Sequence, residues 1–210
     1  MRMEPTTTKG KATVQRVLDA ACVLFARQGI RATTLNQVGK ASATGRGQLY
    51  LYFADKADLV AAVVGQQVDR VLAAQQPLLG SIGNAADVRQ WCALAAEQYT
   101  ADDPVRCPIG SLVYELGEDD PLARTALTAG LARWRAALSS GLRRVGERGE
   151  LAPSITPDDA ATTLLAAYQG GVLLAAATND VTVLRQALTT IASCLLPPPP
   201  PTSTPPAGAA

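Results

Sequence analysis

The stretch Thr33-Thr34-Leu35-Asn36-Gln37-Val38-Gly39-Lys40-Ala41-Ser42-Ala43-Thr44-Gly45-Arg46-Gly47-Gln48-Leu49-Tyr50-Leu51-Tyr52-Phe53 decides the fold. Thr33 and Thr34 are hydroxyl residues placed to cap a short helix over 35–41. Ala43-Thr44-Gly45 reads as a turn, and 46–53 as a second short helix. Upstream, Val14, Val17, Leu18, Ala21, Leu24 and Phe25 recur with helical spacing and define one buried face. Gly29 follows where a left-handed helix end is expected. Three short helices with a tight turn between the second and third form a helix-turn-helix arrangement. That arrangement works only if the third helix is short and exposed enough to enter a major groove, with the first two holding it across the backbone. Arg46, Gln48 and Tyr50 supply donors and acceptors for that groove, and Gly45 and Gly47 add little bulk. Lys56, at the start of a fourth helix, adds a phosphate contact beside a positive helix terminus.

Charge supports the same reading. Residues 1–56 hold nine basic and three acidic residues, a net +6, and the remainder holds ten and fifteen, a net −5. All four lysines lie in the first part. A basic head on an acidic body fits a polyanion-binding module joined to a second function.

The run Thr13-Val14-Gln15-Arg16-Val17-Leu18-Asp19-Ala20-Ala21, continued by Leu24-Phe25-Ala26-Arg27-Gln28-Gly29, resembles the opening of the TetR family of transcriptional repressors. So does Ala32-Thr33-Thr34-Leu35-Asn36-Gln37-Val38. Gly47-Gln48-Leu49-Tyr50-Leu51-Tyr52-Phe53-Ala54-Asp55-Lys56-Ala57-Asp58-Leu59 resembles that family's recognition helix and its entry into the fourth helix. Cys107-Pro108-Ile109-Gly110-Ser111-Leu112 and the last two helices are similar to one ligand-binding branch, the LmrA/YxaF-like regulators. The resemblance implies that Thr34, Asn36, Tyr52 and Lys56 grip phosphates. It implies that Thr44, Arg46, Gln48, Tyr50 and Leu51 face bases or the groove wall. The chain departs from the family at the turn. Where Ala-Gly-Val-Ser is usual, Ser42-Ala43-Thr44-Gly45 stands here, so Ala43 replaces the turn glycine and Gly45 the capping serine. An exposed Leu51 on a groove helix is suited to a thymine methyl.

Beyond residue 55 the chain continues to read as helix. A fourth helix carries Leu59, Val60, Val63, Val64, Val68, Val71 and Leu72, with Pro77 and Gly80 expected to end it. Asn84 or Asp87 opens a helix carrying Val88, Trp91, Leu94, Ala95 and Tyr99. An irregular segment over 102–110 precedes a short helix with Leu112, Val113 and Leu116. Pro121 opens the helix of Leu127, Leu131, Trp134, Leu138, Leu142 and Val145. Thr156-Pro157-Asp158-Asp159 combines a cap, a first-turn proline and acids favourable to the helix dipole. The last helix carries Val183, Leu184, Ala187, Leu188, Ile191 and Leu195.

Ala160–Thr178 holds no charge over 19 residues. Its Ala, Thr and Gly content, Gln169 and flanking aspartates favour a buried helix over a membrane span. Such a helix needs partners on both faces, and a second copy of the chain supplies one of them. Gly170, Gly171 and Ala175 permit close approach there. Together with Leu184, Leu188 and Ile191 of the last helix they are the expected dimer interface, a four-helix bundle across the two-fold axis.

Trp91, Tyr99, Tyr114, Trp134 and Tyr168, on separate segments, either line an apolar pocket with polar tips or fill ordinary core. Cys107, beside Arg106 between prolines, reads as a sensor thiol or an inert buried one. No histidine is present, which removes imidazole bases and His-ligated zinc, and no cysteine pair has CxxC spacing. No cofactor loop or acid–base pair stands out, so neither an enzyme nor a cofactor nor a metal is expected. Residues 1–11 carry no apolar leader, and with widely spaced cysteines this points to a reducing cytoplasm.

The expectation is an all-α chain with a DNA-binding domain over 1–56, a helical effector-binding and dimerisation domain over 57–196, and a proline-rich disordered tail over 197–210. Its expected partners are a double-stranded, pseudo-palindromic operator, a second copy of itself and a small apolar or aromatic effector, with no membrane. The competing reading is a small-molecule-binding or redox-sensing helical protein with little DNA affinity.

Overall fold

A computed structural model of the chain describes residues 3–99, 116 and 120–198. Among them are eight α-helices and no strand: α1 (Thr8–Ala32), α2 (Leu35–Ala41), α3 (Arg46–Tyr52), α4 (Lys56–Ser81), α5 (Ala85–Glu97), α6 (Pro121–Glu147), α7 (Pro157–Thr178) and α8 (Thr182–Leu195). The expected segments over 102–110 and around Leu112 and Val113, and the tail from residue 199, lie outside the described residues.

Helix ends follow local chemistry. α1 continues past Gly29 only across a kink, because Gly29 has φ 80° and ψ 159°. A side chain would be strained there. α2 starts with a full capping box: Gln37 N–H donates to Thr34 Oγ1, and Thr34 N–H donates to Gln37 Oε1. Asn84 and Asp87 make the same box for α5. Thr156 caps α7 by accepting from Asp159 N–H, with Pro157 in the first turn. α4 departs from expectation, because it runs through Pro77 to Ser81. Proline removes one ladder donor, so one lost hydrogen bond is tolerated where Leu79 and Ile82, both fully buried, keep the segment packed.

By packing, the chain forms two compact units: Met1–Pro77 with Val105–Ala137, and Leu78–Pro104 with Leu138–Ala210, each in its described residues. The first unit has its core in Val17, Ala21, Phe25, Val38, Leu49, Phe53, Leu59 and Val64. Trp134 belongs here too, its indole N–H donating to Gln75 Oε1 at 3.1 Å.

In the second unit α7 packs on α8, and α8 also packs on α5. This pairing places part of the residue set expected at a dimer interface within the chain's own packing. Leu184, Leu188 and Ala175 are fully buried inside the chain. A Cβ on Gly171 would sit 2.7 Å from Leu184 Cδ1 and 3.1 Å from Leu184 Cα, so this glycine lets α8 approach α7 in the same protomer. Helical geometry puts residues 171, 175, 184 and 188 on the faces turned toward each other. Gly170 meets nothing within 4 Å and Ile191 is half-buried, so both stay available to a partner. Leu173 and Leu174, exposed at 51% and 53%, extend that surface. Among the described residues α7 is the one helix long and apolar enough to cross a membrane, and close to half of its apolar window is buried.

Candidate nucleic-acid interface and effector site

α3 has seven residues and is held from below. Leu49 and Tyr52 are buried on it and Phe53 is buried at its end. Its outer side carries Arg46, Gly47, Gln48 and Leu51, all exposed, with Tyr50 half-buried beside them. The Arg46 guanidinium lies 5.6 Å from the centre of the Tyr50 ring, one helical turn away. That contact restrains a long side chain that would otherwise sample many rotamers. Gly45 caps the helix without a side-chain hydrogen bond.

The turn before α3 is closed by backbone bonds. Thr44 N–H donates to the Gly39 carbonyl at 2.9 Å, and Ala43 N–H to that of Lys40 at 3.2 Å. Ala43 sits at φ 50°, in the left-handed region that its missing glycine would occupy without strain. Between α2 and α3 lies a groove of about 430 Å³ lined in part by Asn36, Lys40, Ala43, Arg46 and Tyr50.

The expected phosphate and base contacts divide. Thr34 and Asn36 are exposed at the start of α2. The Thr34 hydroxyl is engaged with Gln37. Lys56 Nζ donates to the Arg31 carbonyl at 3.0 Å, using one of its three donors. Thr44 is only 5% exposed, and its hydroxyl donates to the Ser42 carbonyl at 3.3 Å, so its side chain locks the turn. Tyr52 is also largely buried. At 7% exposed it is packed inward, with its hydroxyl 2.9 Å from where a Gly10 Cβ would stand. It fastens α3 to the start of α1. Lys9 and Lys11, which extend the basic face at that end of α1, are exposed; the net charge of the head pointed to them, but no spacing rule did.

In the second unit three of the five expected pocket aromatics come together. The Trp91 and Tyr168 rings lie 6.2 Å apart, tilted by 40°. The Tyr99 and Tyr168 hydroxyls are 2.8 Å apart, and Gln98 Nε2 donates to the same Tyr168 oxygen at 2.8 Å. Trp91 is fully buried, and its indole N–H has no acceptor. Gln98 was missed by sequence reasoning, because a polar residue at a helix end carries no pocket signal of its own. Trp134 belongs to the first unit, where its indole N–H meets Gln75. Tyr114 and Cys107 lie outside the described residues. Burial pushes the Cys92 thiol up to about 12, and it also raises that of Cys22.

A short outward-facing helix clamped across a turn by two others defines a helix-turn-helix DNA-binding head, here followed by a helical second part. Residues 17–63 match the family described as bacterial regulatory proteins, tetR family. Residues 86–191, half of the chain, match the tetracyclin repressor-like C-terminal domain. The chain belongs to the TetR family. It is 38% identical over 58 residues to the HTH-type transcriptional regulator AcrR of Shigella flexneri, covering 28% of this chain and 27% of that protein. It is 34% identical over 62 residues to the uncharacterized HTH-type transcriptional regulator TtgW of Pseudomonas putida, covering 30% and 46%. The matched region thus spans less than half the length of either relative. Among solved structures, Escherichia coli NemR in its reduced form superposes with a TM-score of 0.77 at 23% identity, covering 89% of this chain and 98% of that one. The SmeT–triclosan complex gives 0.70 at 22% identity, covering 94% and 100%. These likenesses establish the fold. The LmrA/YxaF-like resemblance rests in part on residues 107–112, outside the described set.

Proposed function

We propose that this chain is a cytoplasmic, ligand-responsive transcriptional repressor that binds a pseudo-palindromic operator as a homodimer and has no enzymatic activity. The observation that carries it is the split of α3: Arg46, Gln48 and Leu51 face out, while Leu49, Tyr52 and Phe53 anchor the helix. Residues 1–56 then divide from 57–196 by role, and the packing units follow a different line because α4 begins in the head's own core. A two-fold dimer places its two recognition helices about 34–36 Å apart, or a multiple of that turn. The exposed Leu173 and Leu174 of α7, with the half-buried Gly170 of α7 and Ile191 of α8, provide the apolar surface for a second copy. The Trp91, Gln98, Tyr99 and Tyr168 cluster supports a small aromatic or apolar effector. Such an effector releases DNA only by its differential affinity for two conformations, typically about 1–3 kcal/mol of coupling.

The test is selection of bound fragments from a random DNA library with the full chain, followed by gel shifts across a salt series. Arg46→Ala should cost roughly 1–3 kcal/mol and relax one base position, and Lys56→Ala should weaken every sequence alike. Affinity should fall steeply with salt as counterions are released. Weak, salt-independent binding untouched by either change would leave the effector-binding or redox-sensing reading in its place.

A further inference from the structure

Leu51 is 44% exposed, the one large apolar residue exposed on α3. It stands three positions after Gln48 and four after Gly47, so the three share one helical face. No atom approaches within 4 Å of where a Gly47 Cβ would be, so nothing beside Leu51 props the helix away from a surface it approaches. If Arg46 and Gln48 reach base edges, the Leu51 isobutyl group is carried into the groove with them. The apolar feature that a major groove offers is the C5-methyl of thymine. Any other base edge at that point would lose water to a leucine without a hydrogen bond in return. We infer that Leu51 is a specificity-determining residue that reads a thymine methyl group in each operator half-site. This rests on the proposed DNA-binding role.

The probe is duplex DNA of the sequence selected by the full chain, with each thymine of the half-site replaced in turn by uracil. Uracil keeps every hydrogen-bonding group and removes the methyl alone. At one position the wild-type protein should bind about fourfold more weakly per half-site, the worth of roughly one buried carbon. Leu51→Ala should bind thymine and uracil at that position equally, and so should Leu51→Gln, while both keep the wild-type unfolding midpoint because the side chain is exposed. Thymine and uracil bound within twofold at all positions by the wild-type chain would overturn the inference and leave the DNA-binding role standing. A thymine preference retained by Leu51→Ala would do the same. Failure to select any sequence would overturn the DNA-binding role itself and the inference with it.

Discussion

Ala43→Gly isolates the one non-glycine residue in the recognition turn that has a positive φ. Ala43 holds φ 50° because Ser42 Oγ donates to the Val38 carbonyl at 2.8 Å and Thr44 N–H to that of Gly39 at 2.9 Å. These bonds fix the chain on both sides and leave the residue between them no choice of hand. The left-handed region costs an ordinary L-residue roughly 1–2 kcal/mol. Replacing alanine with glycine loosens the unfolded chain and returns about 0.4–1 kcal/mol of that gain. Ala43 is exposed, so little packing is lost with its methyl. The net expectation is a stabilisation of about 0.8 kcal/mol. In a chain of this size that corresponds to a melting point about 2–3 °C higher. Urea titration of wild type and variant, with calorimetry, gives both quantities. Ala43→Val should move the other way by more than about 1 kcal/mol, since a β-branched residue fits this region worst. A glycine variant that is less stable than wild type, or a valine variant that is equally stable, would refute the claim that this turn is strained.

Gly170→Arg should give a folded monomer by light scattering with unchanged helical circular dichroism. Gly171→Ala should destabilise the chain by about 1–3 kcal/mol through overpacking against Leu184. Glu150 provides a pH test. The Ala85 N–H that donates to its carboxylate, followed by Arg148, holds its pKa below the ordinary 4.5. A depressed folded value contributes stability that is present above 4.5 and lost as pH falls through the lower value. Glu150→Gln should therefore show a flatter stability profile in acid urea titrations, and an identical slope in both proteins would count against the Ala85 bond. Thiol labelling followed by peptide mapping should modify the exposed Cys194 at pH 8 and leave Cys92 unmodified, because the Cys92 thiol is buried and stays protonated up to about 12. Equal labelling of the two would contradict that burial.

Much of the architecture is decided within four or five residues of chain. Thr34 with Gln37, Asn84 with Asp87, and Thr156 with Pro157 and Asp159 set where α2, α5 and α7 begin. Each is a side chain satisfying a backbone donor three positions on, so sequence alone reveals it. Gly29 is legible for the same reason: its φ of 80° is a property of one residue. The outward face of α3 follows from Leu49 and Phe53 being apolar at helical spacing. What periodicity could not supply was partner choice. Gly170 and Gly171 are adjacent and chemically identical, yet one faces open space and the other the Leu184 side chain. Tyr168 meets Trp91 and Tyr99, whereas Trp134 takes Gln75. Thr44 turns inward although its neighbours in sequence face out. A helix reports its own apolar stripe, but the distance and angle at which two helices cross depend on interlocking side chains distant in sequence. Only the assembled packing settles which neighbour each of those residues meets.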